Sequence, residues 1–145
     1  MSGQDGKLFY LCSLIEYIGR ESKNKRFDVI EKLGRENVNR IYGYADVFHC
    51  EPIEAVSAEW CERCAIVPGS FDNISVCRYR LPSFWDIGKV YCRLIQSLGG
   101  DVIDTLFEVY SSWMAQSIDN YNIAVYYMPP DYLYESYKEG VLLEY

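Results

Sequence analysis

Apolar residues in this chain recur every three or four positions in short runs, and each run stops at a glycine, a proline or a polar stretch. That spacing commits most of the chain to amphipathic helices, each of which must bury one face against the others. Leu8, Leu11, Cys12, Ile15 and Ile18 form the first stripe, in an apolar stretch interrupted by Glu16. Phe27, Ile30 and Leu33 form a second, ending at Gly34, a residue suited to a left-handed helix end. Val38, Ile41, Tyr42 and Ala45 make a third that fades near His49 and Cys50, and Pro52 sits in the first turn of a fourth bearing Ile53, Val56, Trp60 and Cys64.

Residues 66–82 change character. Turn formers such as Gly69, Asp72 and Asn73 stand among too few apolar residues to show a period, so a long irregular loop or a short hairpin is expected. Ser83 and Asp86 then resemble a capping box, opening a fifth helix through Trp85, Val90, Leu94 and Leu98 to Gly99 and Gly100. Asp101 is placed to cap a sixth, with Val102, Leu106, Val109, Tyr110, Trp113 and Met114 on its stripe, fading near Asp119 and expected to be the longest. The β-branched and aromatic run Ile123 to Met128 favours an extended segment, and a last helix runs from Pro130 and Asp131 to Gly140. The expected fold is mostly α: a single compact helical domain of about six or seven helices. Residues 1–145 form one domain at this length, with 1–65 and a Tyr-rich acidic 83–145 as possible sub-divisions. Leu11, Ile15, Ile30, Ile41, Val56, Trp60, Val90, Leu94, Leu106, Val109 and Trp113 are its expected core.

Half the residues are apolar and 24% are charged, enough to drive folding. No run approaches a membrane span and the polar start, Met1 to Gly6, carries no export signal, so a cytoplasmic protein without membrane contact is expected. The net charge of −7 disfavours a nucleic-acid partner, which needs a basic footprint. Charge is also polarised: residues 1–40 carry eight Lys/Arg against six Asp/Glu, whereas 101–145 carry eight acidic residues and one basic one, Lys138. An acidic pole of this kind favours a basic partner surface.

Six cysteines without an export signal read as reduced thiols, and Cys12 and Cys92 as small core hydrophobes. Cys61 and Cys64, with His49, Cys50 or Cys77, offer enough soft ligands for zinc. Against that, Cys61 and Cys64 lie inside a helical pattern and the adjacent side chains of His49 and Cys50 diverge, so structural thiols and no cofactor are expected, with zinc or thiol chemistry as the alternative. His49, the sole histidine, is expected to serve a helix end. No nucleophile elbow or phosphate-cradling glycine loop occurs, and Asp101 and Asp104 suit a helix N-terminus rather than catalysis.

Tyrosine is the compositional anomaly. There are 14, and seven (Tyr121, Tyr126, Tyr127, Tyr132, Tyr134, Tyr137, Tyr145) fall in the last 25 residues. Interleaved with them stand Asp131, Glu135, Glu139 and Glu144. Tyrosine supplies large contact area at low entropic cost and tolerates partial hydration, so rings set among carboxylates suit a protein interface. The plainer alternative is that they pack the tail onto the helices.

Residues Leu8-Phe9-Tyr10-Leu11-Cys12-Ser13-Leu14-Ile15-Glu16-Tyr17 and Tyr44-Ala45-Asp46-Val47-Phe48-His49 resemble a family of small helical bacterial proteins of unknown function, common in gut Firmicutes. Its members tend to be encoded beside ADP-ribosyltransferase-like toxins. The resemblance implies an antitoxin-like or accessory role and no catalytic residue. The function expected is therefore a non-enzymatic protein-interaction module that docks a partner of basic surface on Tyr121, Tyr126, Tyr127, Tyr132, Tyr134, Tyr137, Asp131 and Glu135.

Overall fold

A computed structural model describes residues 5–144, and Tyr145 lies outside the described residues. The described residues form eight α-helices and a short 3₁₀ helix: α1 (Gly6–Ser22), α2 (Arg26–Gly43), α3 (Ala45–Phe48), α4 (Ile53–Arg63), α5 (Phe84–Leu98), α6 (Val102–Tyr110), α7 (Trp113–Ile118), the 3₁₀ helix Ala124–Tyr127 and α8 (Pro130–Glu139). No strand occurs among the described residues.

The first stripe read from the sequence understates α1. It is buried on nearly every side, Tyr10, Ser13, Leu14, Glu16 and Gly19 included, because it packs against α2, α3, α4 and α5 at once. A helix hydrophobic nearly all round is one enclosed by its neighbours. The α1–α5 pair is the most extensive of these contacts. The two helices meet so closely at Gly88 that a Cβ there would stand 2.8 Å from the backbone of Ser13.

The sequence signals for helix ends are realised locally. Asp5 caps α1 by accepting the N–H groups of Lys7 (3.0 Å) and Leu8 (3.2 Å). Ser83 and Asp86 form the capping box of α5, side chain to backbone in both directions at 3.0 Å. Asp101 caps α6, and Gly140 ends α8 in the left-handed region. Gly34 breaks the line of α2 at φ 83° and ψ 155°, so the second and third stripes meet at a kink rather than at a loop.

Two expectations are corrected. The stretch from Val102 to Asp119 is not one long helix but α6 and α7, separated at Ser111 and Ser112. Both hydroxyls donate back to the preceding turn, Ser111 to the Glu108 carbonyl at 3.0 Å and Ser112 to that of Val109 at 2.6 Å, and such bonds compete with the helical ladder. The longest helix is α2. Ile123 to Met128 is not a strand: its centre closes into the 3₁₀ helix around buried Val125, and only Ile123 and Met128 remain extended, Met128 because Pro129 follows it. In the core, Val90 and Trp113 are half-buried at its margin, while the other nine expected residues are buried.

Residues 66–82 form a loop, not a hairpin, and it is stitched to the helices at several points. Gly69 and Phe71 donate backbone N–H groups to the carbonyls of Ser22 (2.8 Å) and Lys23 (2.9 Å). Arg20 grips the Pro82 carbonyl at 2.7 Å, and Asn73 reaches the Asp119 carbonyl at 2.9 Å. The loop thereby joins the end of α1 to the end of α7.

The Gly88 crossing yields a test by urea denaturation. Gly88→Ala is expected to lower stability by about 1–3 kcal/mol, since the added methyl meets the Ser13 backbone as well as its hydroxyl, and the backbone cannot swing aside. Gly43→Ala, where a Cβ meets nothing within 4 Å, is expected to be neutral or stabilising by about 0.5 kcal/mol. Equal effects of the two would refute the close α1–α5 approach.

Candidate functional site

Glu16, the one charged residue within the first apolar stripe, anchors a buried polar cluster. Its carboxylate accepts Arg26 Nε on Oε1 at 3.0 Å, and Arg26 Nη2 and Arg20 Nε on Oε2 at 3.1 Å and 2.8 Å. The Tyr121 hydroxyl donates to the same oxygen. Arg26 is only 1% exposed, and its remaining donors reach Asn73 Oδ1 (3.1 Å) and the Asn24 carbonyl (2.9 Å). It lies against α1 at Gly19, where a Cβ would collide with its side chain. Beside this pair, Asp119 at the end of α7 accepts the Tyr91 hydroxyl on Oδ1 at 2.8 Å.

Burial works against the ionised form of both carboxyls, with different outcomes. For Glu16 it is outweighed by Arg26 and Arg20, whose charges, with hydrogen bonds from Arg26 and Tyr121, hold the carboxyl below its ordinary range. For Asp119, burial followed by the nearby Glu16 charge prevails over Arg26 and the Tyr91 hydrogen bond and raises it to about 7. Burial, and then the adjacent carboxylates, also push the hydroxyls of Tyr91 and Tyr121 up.

Two concave features flank this cluster. A cleft of about 460 Å³ runs between α5 and the segment from the 3₁₀ helix into α8, with Arg80, Lys89, Arg93, Tyr126, Tyr127 and Leu133 among its walls. A hollow of about 670 Å³ opens over Arg26, Asn73 and Asp119, bounded by Phe27, Phe71 and the turn between α6 and α7.

The C-terminal tyrosines do not share one surface. Tyr121, 3% exposed, belongs to the core. Tyr126 is half-buried, stands edge-on to Tyr121 (centroids 5.9 Å apart) and stacks on Tyr127 at 4.5 Å. Tyr127 is 70% exposed. Tyr132, half-buried, donates its hydroxyl to the Leu143 carbonyl at 2.6 Å, which holds the tail against α8. Tyr134 is half-buried with the Lys138 ammonium 5.6 Å from its ring, and Tyr137 is half-buried against the core. Asp131 and Glu135 are exposed on α8. The structure therefore brings Tyr126 and Tyr127 into the cleft, where Asp86 also lies, and leaves Asp131 and Glu135 outside it. Lys89 and Arg93 of α5, and Arg80 at the end of the loop, line the same cleft as the two rings because α5 packs against α8.

The cysteine cluster does not assemble. His49 packs against Tyr10 and Trp85, Cys50 Sγ lies 3.4 Å from the Asp46 carbonyl, Cys77 Sγ 3.4 Å from that of Tyr79, and Cys64 Sγ 3.6 Å from Asn37 Nδ2. No group of three or more His, Cys, Asp or Glu is placed to hold a metal ion among the described residues. Burial pushes the Cys61 and Cys64 thiols up, the reverse of what a reactive thiolate needs.

Comparison of the chain with protein-family models, with curated proteins and with solved structures finds no match. No helix among the described residues is long and apolar enough to cross a membrane.

The cluster makes two measurable demands. Glu16→Gln leaves Arg26 buried beside a neutral amide and is expected to cost about 3–5 kcal/mol in denaturant titrations. Asp119 binds its proton more tightly when folded than the ordinary carboxyl does when unfolded, so its contribution is greatest at low pH and declines as pH rises from about 4 to about 7. Glu16 has the opposite sign: its contribution is present above the ordinary carboxyl range and is lost on acidification below it. Thermal melts of Asp119→Asn against wild type across this range should show the gap shifting in the mutant's favour as pH rises; a constant gap would rule out the raised Asp119.

Proposed function

We propose that the protein is an interaction module that docks a partner protein in the cleft between α5 and α8. The observation that carries this reading is the stacked pair Tyr126 and Tyr127, with an exposed ring at the mouth of a concave wall bearing Arg80, Lys89 and Arg93. Aromatic anchors beside arginines are the combination most enriched where binding energy concentrates in interfaces. A partner fits if it inserts an apolar side chain against the rings, places a carboxylate near Arg80 and Arg93, and brings basic side chains to Asp131 and Glu135 on the outer turn of α8. Burial, and then the contact with Tyr127, push the Tyr126 hydroxyl up to about 12, so this ring stays neutral and its role is packing and hydrogen bonding. The antitoxin-like character of the module rests on the resemblance of residues 8–17 and 44–49 alone.

Truncation of the chain before Tyr121 would strip a hydrogen bond from Glu16, so the test uses cleft variants that leave the core intact. Tyr127→Ala and Arg93→Glu, compared with wild type by quantitative affinity purification from the native host, should each deplete the specific partner by at least about tenfold. Retention of the same partner by both variants, with unchanged melting, would eliminate the cleft as its docking place.

A further inference from the structure

The hollow above Asp119 is separate from the docking cleft, and its chemistry differs. Its floor contains a cation, Arg26, whose donors are already engaged by Glu16, Asn73 and the Asn24 carbonyl. Arg26 is therefore not available to grip an incoming anion. Asp119 presents the opposite case. The residue is 7% exposed and lines the hollow, Tyr91 donates to its Oδ1, and no donor among the described residues reaches Oδ2. A carboxylate oxygen that opens to the hollow with no protein donor is free to accept a charge-assisted hydrogen bond from a ligand.

The rest of the lining points the same way. Asp28 and Asp72 add carboxylates, and Asp72 is turned toward the backbone N–H groups of Ile74 (3.2 Å) and Ser75 (3.1 Å). Among the described residues the only further cation on the wall is Lys25, which is exposed. Half-buried Phe27 and Phe71 supply apolar walls, and about 670 Å³ is room for a small molecule rather than a water or two. An anion would sit against three aspartates, whereas an organic cation meets acceptors below and rings at the sides.

We propose that this hollow binds a small organic primary amine, its ammonium donating to Asp119 and its apolar body lying against Phe27 and Phe71. The ammonium would act as a charge-assisted donor to an acceptor that the protein itself leaves open. The groups around Asp119 are Glu16 and Arg20 from α1, Arg26 from α2, Tyr91 from α5 and Tyr121 after α7. Arg20 and Arg26 already serve Glu16, so Asp119 is the acceptor left for a ligand.

The test is an amide NMR titration of the full chain with three isosteric probes: phenethylamine, phenethyl alcohol and hydrocinnamate. At about pH 8, phenethylamine should bind saturably, with shifts centred on Phe71, Gln116 and Asp119, and at least about tenfold tighter than the neutral and anionic probes. Lowering the pH to about 6 protonates Asp119 and should weaken the amine by about tenfold while leaving the alcohol unchanged. Asp119→Asn, which keeps an acceptor for Tyr91, should remove the preference for the amine. Phe71→Ala, at a half-buried site, should weaken all three probes together. Equal affinity for the three probes, shifts centred elsewhere, or no saturation by phenethylamine at about 10 mM would each overturn the proposal, and none of these outcomes bears on the cleft.

Discussion

One buried carboxylate governs this molecule. Glu16 lies in the middle of the most enclosed helix, and the cost of placing a charge there is offset only because Arg26, Arg20 and Tyr121 arrive from three different parts of the chain. Each partner brings a segment with it. Arg26 fixes the start of α2 over Gly19, Arg20 holds the end of the loop through the Pro82 carbonyl, and Tyr121 pins the chain as it leaves α7. Asn73 then ties the middle of the loop both to Arg26 and to the end of α7. An irregular stretch whose apolar residues between Ile66 and Pro82 stay exposed or half-buried is tied to the helices by these polar contacts without a strand to hold its place.

The same cluster sets the character of both concave features. On one side, Tyr121 stands behind Tyr126, whose ring forms the wall of the cleft. On the other, Asp119 and Asn73 floor the hollow. The first faces the solvent with stacked rings and basic side chains, the second with carboxylates and phenylalanines. The hydrogen bonds of Arg26 go to Glu16, Asn73 and the Asn24 carbonyl, and burial followed by the Glu16 charge raises the second buried carboxyl, Asp119, toward neutral pH.

Much of the helical frame was legible in the sequence. Caps at Ser83 and Asp101, the stop at Gly140 and the break at Gly34 depend on contacts within a few residues, and local chemistry is what sequence displays. The division between α6 and α7 was also local, written in the adjacent Ser111 and Ser112, but apolar periodicity running across them masked it. The 3₁₀ helix at Ala124–Tyr127 was masked for the opposite reason: β-branched and aromatic residues favour extended chain only when a neighbouring strand receives them, and none does among the described residues.

The candidate sites were less legible. Glu16 was visible as an interruption in an apolar stretch, yet nothing nearby identifies Arg26 or Tyr121 as its partners, the latter 105 positions away. The tyrosine excess was plain, but whether a given ring is core or surface depends on which helix lies over it, and that separates Tyr121 from Tyr127 only after folding. By itself the sequence determined the helices, their ends and the overall acidity, because these follow from spacing and residue type. Tertiary structure alone decided which charges meet and which rings face solvent, because burial and Coulombic pairing are properties of distances that no linear order contains.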